Sequence, residues 1–179
     1  TAPSISSRQT NYKLVLNLTG EYKPDDPNPE ITNVLDPLNG IFQIKDHRGL
    51  YPGQCVSLVK RFTKELGVTM NPMGGTGEYA GGAKYGFLNF NKPGLSLSAE
   101  QADKIVFTGS EQPKVGDIIF FNNDKWGHVA VVYSVLDNGH IIVQESNYDN
   151  KAWTTGTKVQ RRTLSLSSNN VMGWLRLKL

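Results

Sequence analysis

Apolar positions along this chain change period part-way through, from helical to alternating. Cys55, Leu58, Val59, Phe62 and Leu66 recur at helical spacing, which predicts a helix over about 53–66, closed by Gly67 as its C′ residue. Further on, Ile118-Ile-Phe-Phe is a wholly apolar run that reads as a buried strand, launched from the turn Gln112-Pro-Lys-Val-Gly-Asp. Residues 128–135 and 141–147 read as two strands joined through Asp137-Asn138-Gly139, a hairpin signal. Val171-Met-Gly-Trp-Leu-Arg-Leu alternates and is expected to close the sheet. Ser98-Ala-Glu-Gln has a capping-box pattern and predicts a short second helix. Helix first and antiparallel strands afterwards is an α+β layout.

The first forty residues read differently. Residues 13–18 offer one alternating strand, and three prolines within residues 24–30 are expected to preclude regular structure. Residues 1–40 are therefore expected to be an N-terminal arm or linker, and 41–179 the domain proper. A Gly-rich stretch over 73–86 lacks the Gly-Lys-Ser/Thr ending of a phosphate loop. It is expected to be a long surface loop, either one wall of a cleft or a segment without a role.

Composition narrows the class. The chain has 179 residues, 38% hydrophobic and 20% charged, with a net charge of +3. It is globular and of the size of one domain. No apolar run reaches the roughly 18 residues of a membrane span. The polar start Thr1-Ala-Pro-Ser-Ile-Ser-Ser lacks the apolar core of a signal peptide, and from the missing initiator Met a processed protein or an excised domain is expected. No Lys/Arg cluster resembles a nucleic-acid recognition helix, so no nucleic-acid partner is expected. The mild positive charge suits a polyanionic surface and equally an ordinary soluble protein.

Candidate chemistry centres on Cys55, the single cysteine, which excludes an internal disulfide and a cysteine-rich zinc site. It stands in the first turn of its helix, where free amide groups and the positive end of the dipole stabilise a thiolate. The competing reading is an inert core cysteine on an apolar helix face. His128 opens a strand and Glu145 and Asn147 end the next one, which supplies an imidazole and polar orienting groups on one sheet face. With Asn138-Gly139 as a two-residue turn, His128 falls opposite Asp149 and Asn147 opposite Ala130. Asn147 is then diagonal to His128, while Glu145 is too far without a bulge or strand tilt. Val129, Val131, Tyr133 and Ile142 form the other, core-like face. His140 beside the turn is expected in solvent, and His47 lies in a loop.

These blocks together resemble the CHAP family, the cysteine, histidine-dependent amidohydrolases/peptidases, a papain-like group. The likeness rests on Gly53-Gln-Cys-Val-Ser-Leu-Val, Val115-Gly-Asp-Ile-Ile-Phe-Phe, Gly127-His-Val-Ala-Val-Val, Val143-Gln-Glu-Ser-Asn and Gly173-Trp-Leu-Arg, across about residues 45–179. The resemblance implies a papain-like α+β fold, with N-terminal helices packed on an antiparallel sheet. It also implies a peptidoglycan hydrolase, either an N-acetylmuramoyl-L-alanine amidase or a peptide-bridge endopeptidase. Cys55 is then the nucleophile, His128 the base, Glu145 the third member, Asn147 a further motif match and Gln54 part of the oxyanion site. Trp126, beside His128 in sequence, is expected at the substrate surface. Members occur in phage endolysins, virion-associated lysins and bacterial autolysins, so an extracellular or virion-associated monomer acting on the wall is expected. A non-catalytic wall-binding module on the same fold is the alternative. Some members bind calcium in an acidic loop before the nucleophile. Asp46 matches that loop, but Arg48, Leu50, Pro52 and Ser57 stand at its other positions, so no metal or other cofactor is expected.

Overall fold

The computed structural model describes residues 24–42, 53–67, 105–108, 112–121, 127–148, 156–168 and 171–177. The strand expected at 13–18, the Gly-rich stretch, the helix at Ser98 and residues Asp46, His47 and Trp126 lie outside them. Among the described residues the chain is α+β: helices α1 (Pro29–Leu38) and α2 (Cys55–Glu65), then strands β1 (Ile105–Thr108), β2 (Ile118–Phe121), β3 (His128–Val135), β4 (His140–Glu145), β5 (Gln160–Ser165) and β6 (Val171–Leu177). The strands form one antiparallel sheet in the order β1-β6-β2-β3-β4-β5. The C-terminal strand therefore lies inside the sheet, between β1 and β2, and closes no edge.

The proline-rich segment corrects one expectation, because its prolines stop short of forbidding a helix. Asn28 caps α1 by accepting a hydrogen bond from the Glu30 amide at 2.9 Å, and Pro29 takes the first helical position. That is the one place where a missing N–H and a fixed φ favour a helix. Pro37 sits one residue before the end of α1. Ile31 and Leu35 bury themselves with α2 residues Val59 and Phe62 and sheet residues Ile118, Phe120, Val129 and Val131. Gly116, at φ +90, lets Ile31 approach: a Cβ there would stand 2.7 Å from the Ile31 Cδ1. Ahead of the helix, Asp25 exchanges backbone hydrogen bonds with Val135 and accepts one from the Val115 amide.

The opposite sheet face is buried too, with Ile119, Phe121, Ala130, Val132, Val143, Leu164, Val171 and Trp174 in one cluster. The face that carries His128, Ala130 and Val132 is apolar except at the end away from the turn, where His128 and Glu145 lie. Asp117 immediately precedes β2. It is nearly inaccessible and holds Arg176 of β6 through two bonds, at 2.9 and 2.8 Å.

The β3–β4 hairpin differs from the two-residue turn in two ways. Its turn is a single 3-10 turn over Asp137–Gly139, with Val135 paired to Ile141. A bulge then follows, because Ser134 faces Ile142 but Val132 faces Val143, which leaves Tyr133 as the extra residue. Beyond it Val131 pairs with Gln144. Continuing that register sets Glu145 across from Ala130 and Asn147 across from His128.

Because Ile31 joins α1 to α2 and the sheet, Ile31→Ala is expected to cost about 2–5 kcal/mol of stability, the range for deleting a large buried aliphatic group. Urea unfolding should show one transition at a lower midpoint. An unchanged midpoint would mean that α1 is not part of the folded unit.

Candidate active site

Cys55 is the first residue of α2, with Gln54 as N-cap in extended backbone. The chain reaches this helix through Gly53 at φ +72, a left-handed turn. A Cβ on Gly53 would stand 2.8 Å from the Gly156 Cα, and the Gly53 carbonyl accepts a hydrogen bond from the Thr157 amide. Two glycine backbones thus cross in contact immediately before the thiol. Cys55 is buried and unpaired with any other cysteine.

His128, also fully buried, opens β3. Its Nε2 lies 2.8 Å from the Glu145 Oε1. The Phe121 ring lies 5.5 Å from its ring, centroid to centroid. Nδ1 is buried without a well-formed hydrogen bond, while the Cys55 thiol interacts with the ring. With Nε2 occupied by the carboxylate, Nδ1 is the nitrogen left to the sulfur. An imidazole caught between a thiol and a carboxylate is the arrangement that generates a thiolate nucleophile.

Glu145 is equally buried, and both its oxygens are engaged: Arg162 donates Nε to Oε2 at 2.5 Å and Nη2 to Oε1 at 3.0 Å. Burial raises the carboxyl pKa, but the bonds from His128 and Arg162 outweigh it, so Glu145 stays below its ordinary range. Burial likewise pulls His128 down, yet the hydrogen bonds with Cys55 and Glu145 and their charges outweigh it and hold the imidazole at about 9, above the ordinary 6.5. The imidazolium is therefore the resting form at neutral pH.

Asn147 takes a different place from the diagonal partner of His128. At a left-handed φ of 49, its amide Nδ2 donates to the Gln54 Oε1 at 2.7 Å, and its backbone amide donates to the Thr157 Oγ1 at 2.7 Å. This fixes the Gln54 side chain by its oxygen. The site so gathers Gln54, Cys55, His128, Glu145 and Asn147. His140 lies away from it, exposed at the hairpin turn. Sequence reasoning missed Arg162, whose strand Gln160–Ser165 carries no strong apolar alternation. Among the described residues no group of three His, Cys, Asp or Glu could hold a metal ion. No helix among them is long and apolar enough to cross a membrane.

The family model for the CHAP domain matches residues 45–147. No curated protein matches the chain. Among solved structures, the chain is similar to the crystal structure of N-acetylmuramoyl-L-alanine amidase from Staphylococcus aureus, at 21% sequence identity and a TM-score of 0.41. That similarity covers 71% of this chain and 31% of the other, so the chain spans about a third of that structure's length.

The two shifts fix a pH window. The raised His128 pKa gives stability that is complete below its ordinary 6.5 and lost as pH rises through about 9. The lowered Glu145 pKa gives stability present above its ordinary 4.5 and lost as pH falls through the lowered value. His128 ring proton resonances are expected to titrate near 9. In Glu145→Gln the midpoint should fall by roughly one to three pH units, the effect of removing a close opposite charge. An unmoved midpoint would remove the carboxylate from the account of this ring.

Proposed function

We propose that this chain, which belongs to the CHAP domain family by its match over residues 45–147, is a peptidoglycan hydrolase that cleaves an amide bond through Cys55. The observation that supports it most is the buried series of thiol, imidazole and carboxylate at Cys55, His128 and Glu145. An inert core cysteine needs no buried imidazole beside it, and a buried imidazole needs no paired carboxylate unless its cation has a use.

The chemistry follows from the placement. Cys55 and His128 form a thiolate–imidazolium pair, favoured by the start of α2 and by Glu145 on Nε2. The thiolate adds to the amide carbonyl carbon, and the oxyanion accepts from the Gln54 side-chain NH₂, whose oxygen Asn147 holds. As the C–N bond breaks, Nδ1–H of His128 gives its proton to the departing amine. A water then loses a proton to the neutral imidazole, attacks the thioester and expels the thiolate. Glu145 keeps the ring in place and stabilises its cation in both halves. Trp126, two residues before His128 in sequence, is proposed to meet the substrate.

In this reading the substrate is the bacterial wall, cut as an N-acetylmuramoyl-L-alanine amidase or a peptide-bridge endopeptidase, by a secreted or wall-associated protein of autolysin or phage-lysin type. All the site groups come from one chain, which suits action as a monomer.

Turbidity loss of purified peptidoglycan tests the assignment, each variant checked for folding by circular dichroism. Cys55→Ala is expected to lose about 10³-fold or more. His128→Ala should lose about 10²–10⁴-fold, the range for a general acid–base group, while His140→Ala stays close to wild type. Glu145→Ala should cost more than Asn147→Ala, since one holds the reacting ring and the other an oxyanion donor. Full activity in a folded Cys55→Ala protein would remove Cys55 as the nucleophile, and a folded wild-type protein that binds the wall without turbidity loss would leave the non-catalytic wall-binding module as the reading.

A further inference from the structure

The Glu145 carboxylate orients the imidazole, but a carboxylate on a flexible side chain does not orient itself. Its Oε1 is shared between His128 Nε2 and Arg162 Nη2, and its Oε2 is taken by Arg162 Nε. The β4–β5 register explains the reach: Glu145 pairs with Gln160 and Val143 with Arg162, so the arginine is the diagonal neighbour on the same sheet face. The guanidinium carbon lies 4.6 Å from the Tyr148 ring centroid, and Arg162 is only about a quarter exposed, at 26%. The arginine therefore stands between the carboxylate and solvent, stacked on an aromatic side chain.

We infer that Arg162 is a positioning residue of the active site, gripping both oxygens of Glu145 so that Oε1 stays on the His128 ring. This rests on the reading of Cys55 and His128 as the reacting pair. The planar fork of an arginine fixes both oxygens and the tilt of the carboxylate, which the point charge of a lysine does not. Among the described residues, the charged groups that act on Glu145 are His128 from β3 and Arg162 from β5, and Cys55 of α2 acts on it through the ring. Its direct cross-strand partner Gln160 is neutral. Removing Arg162 thus leaves burial opposed by His128 alone, and Glu145 becomes easier to protonate.

Two readouts test this, one independent of catalysis. The Glu145 side-chain carboxyl is followed by carbon NMR against pH in wild type, Arg162→Met and Arg162→Lys. The pH dependence of kcat/KM on purified peptidoglycan is measured for the same proteins and for Cys55→Ala. In Arg162→Met the carboxyl midpoint and the acid limb of kcat/KM are expected to move up together, with activity near neutral pH reduced by about tenfold or more. Arg162→Lys should restore the acid limb while recovering only part of the rate, because it returns the charge without the fork. A folded Arg162→Met protein with the wild-type carboxyl midpoint overturns the inference. So does Arg162→Lys with the full wild-type rate. Should Arg162→Met not fold, the Arg162→Lys rate decides. An active Cys55→Ala protein would defeat the reading of Cys55 as the nucleophile instead, and the carboxyl titration would still report whether Arg162 holds Glu145.

Discussion

A carboxylate and an imidazole buried together are tolerated only if their charges are paired, because an unpaired buried charge costs several kcal/mol. The His128–Glu145 pair meets that condition from three directions. β3 supplies the ring, β5 supplies the Arg162 fork and α2 brings the Cys55 thiol to interact with the ring. Remove any one of these and the others become liabilities. The sheet order β3-β4-β5, with Glu145 on the middle strand, is what makes the pair possible.

That pairing depends in turn on one extra residue. A turn that matches Val135 with Ile141, carried on without interruption, sets Glu145 opposite Val131, on the wrong face of the sheet for His128. The bulge at Tyr133 slips the register once more and returns Glu145 to the His128 face, two residues from its strand position. The bulge is itself tied down. The Tyr133 hydroxyl donates to the Asp36 carboxylate of α1 at 2.8 Å, and the Arg161 guanidinium carbon lies 3.8 Å from the ring centroid. Arg161 also bonds Asp36 and Gln144, and Gln144 donates to the Leu35 carbonyl near the end of α1. Helix α1 therefore contributes more than apolar cover. It anchors the residue that sets the register of the site.

Neighbouring arginines divide the work by strand parity. Arg161 faces α1 and fastens the helix to the sheet, while Arg162 faces the buried pair. A similar economy holds at the nucleophile, where the contact of Gly53 with Gly156 brings Thr157 under Asn147, and Asn147 holds Gln54. Backbone proximity at two glycines is thereby passed on to the orientation of the amide beside Cys55.

The residue pattern by itself determined the α+β layout, helix α2 with Cys55 in its first turn, the apolar β2 and the two strands that bear His128 and Glu145. Each of these is a local property, set by the spacing of apolar side chains against a helical or alternating period. The CHAP resemblance added the pairing of Glu145 with His128 as an expectation, against the ideal two-residue hairpin. Tertiary structure decided what spacing does not encode. A bulge is a one-residue event whose stabilisation comes from Asp36 and Arg161, residues distant in sequence. The helix at Pro29–Leu38 was hidden behind its prolines, because its stability comes from burying Ile31 and Leu35 rather than from propensity. Asn147 moved to Gln54, and Arg162 entered the site, for the same reason: a hydrogen bond joins whichever groups the packed backbone brings within about 3 Å, and that distance exists only after the strands have paired.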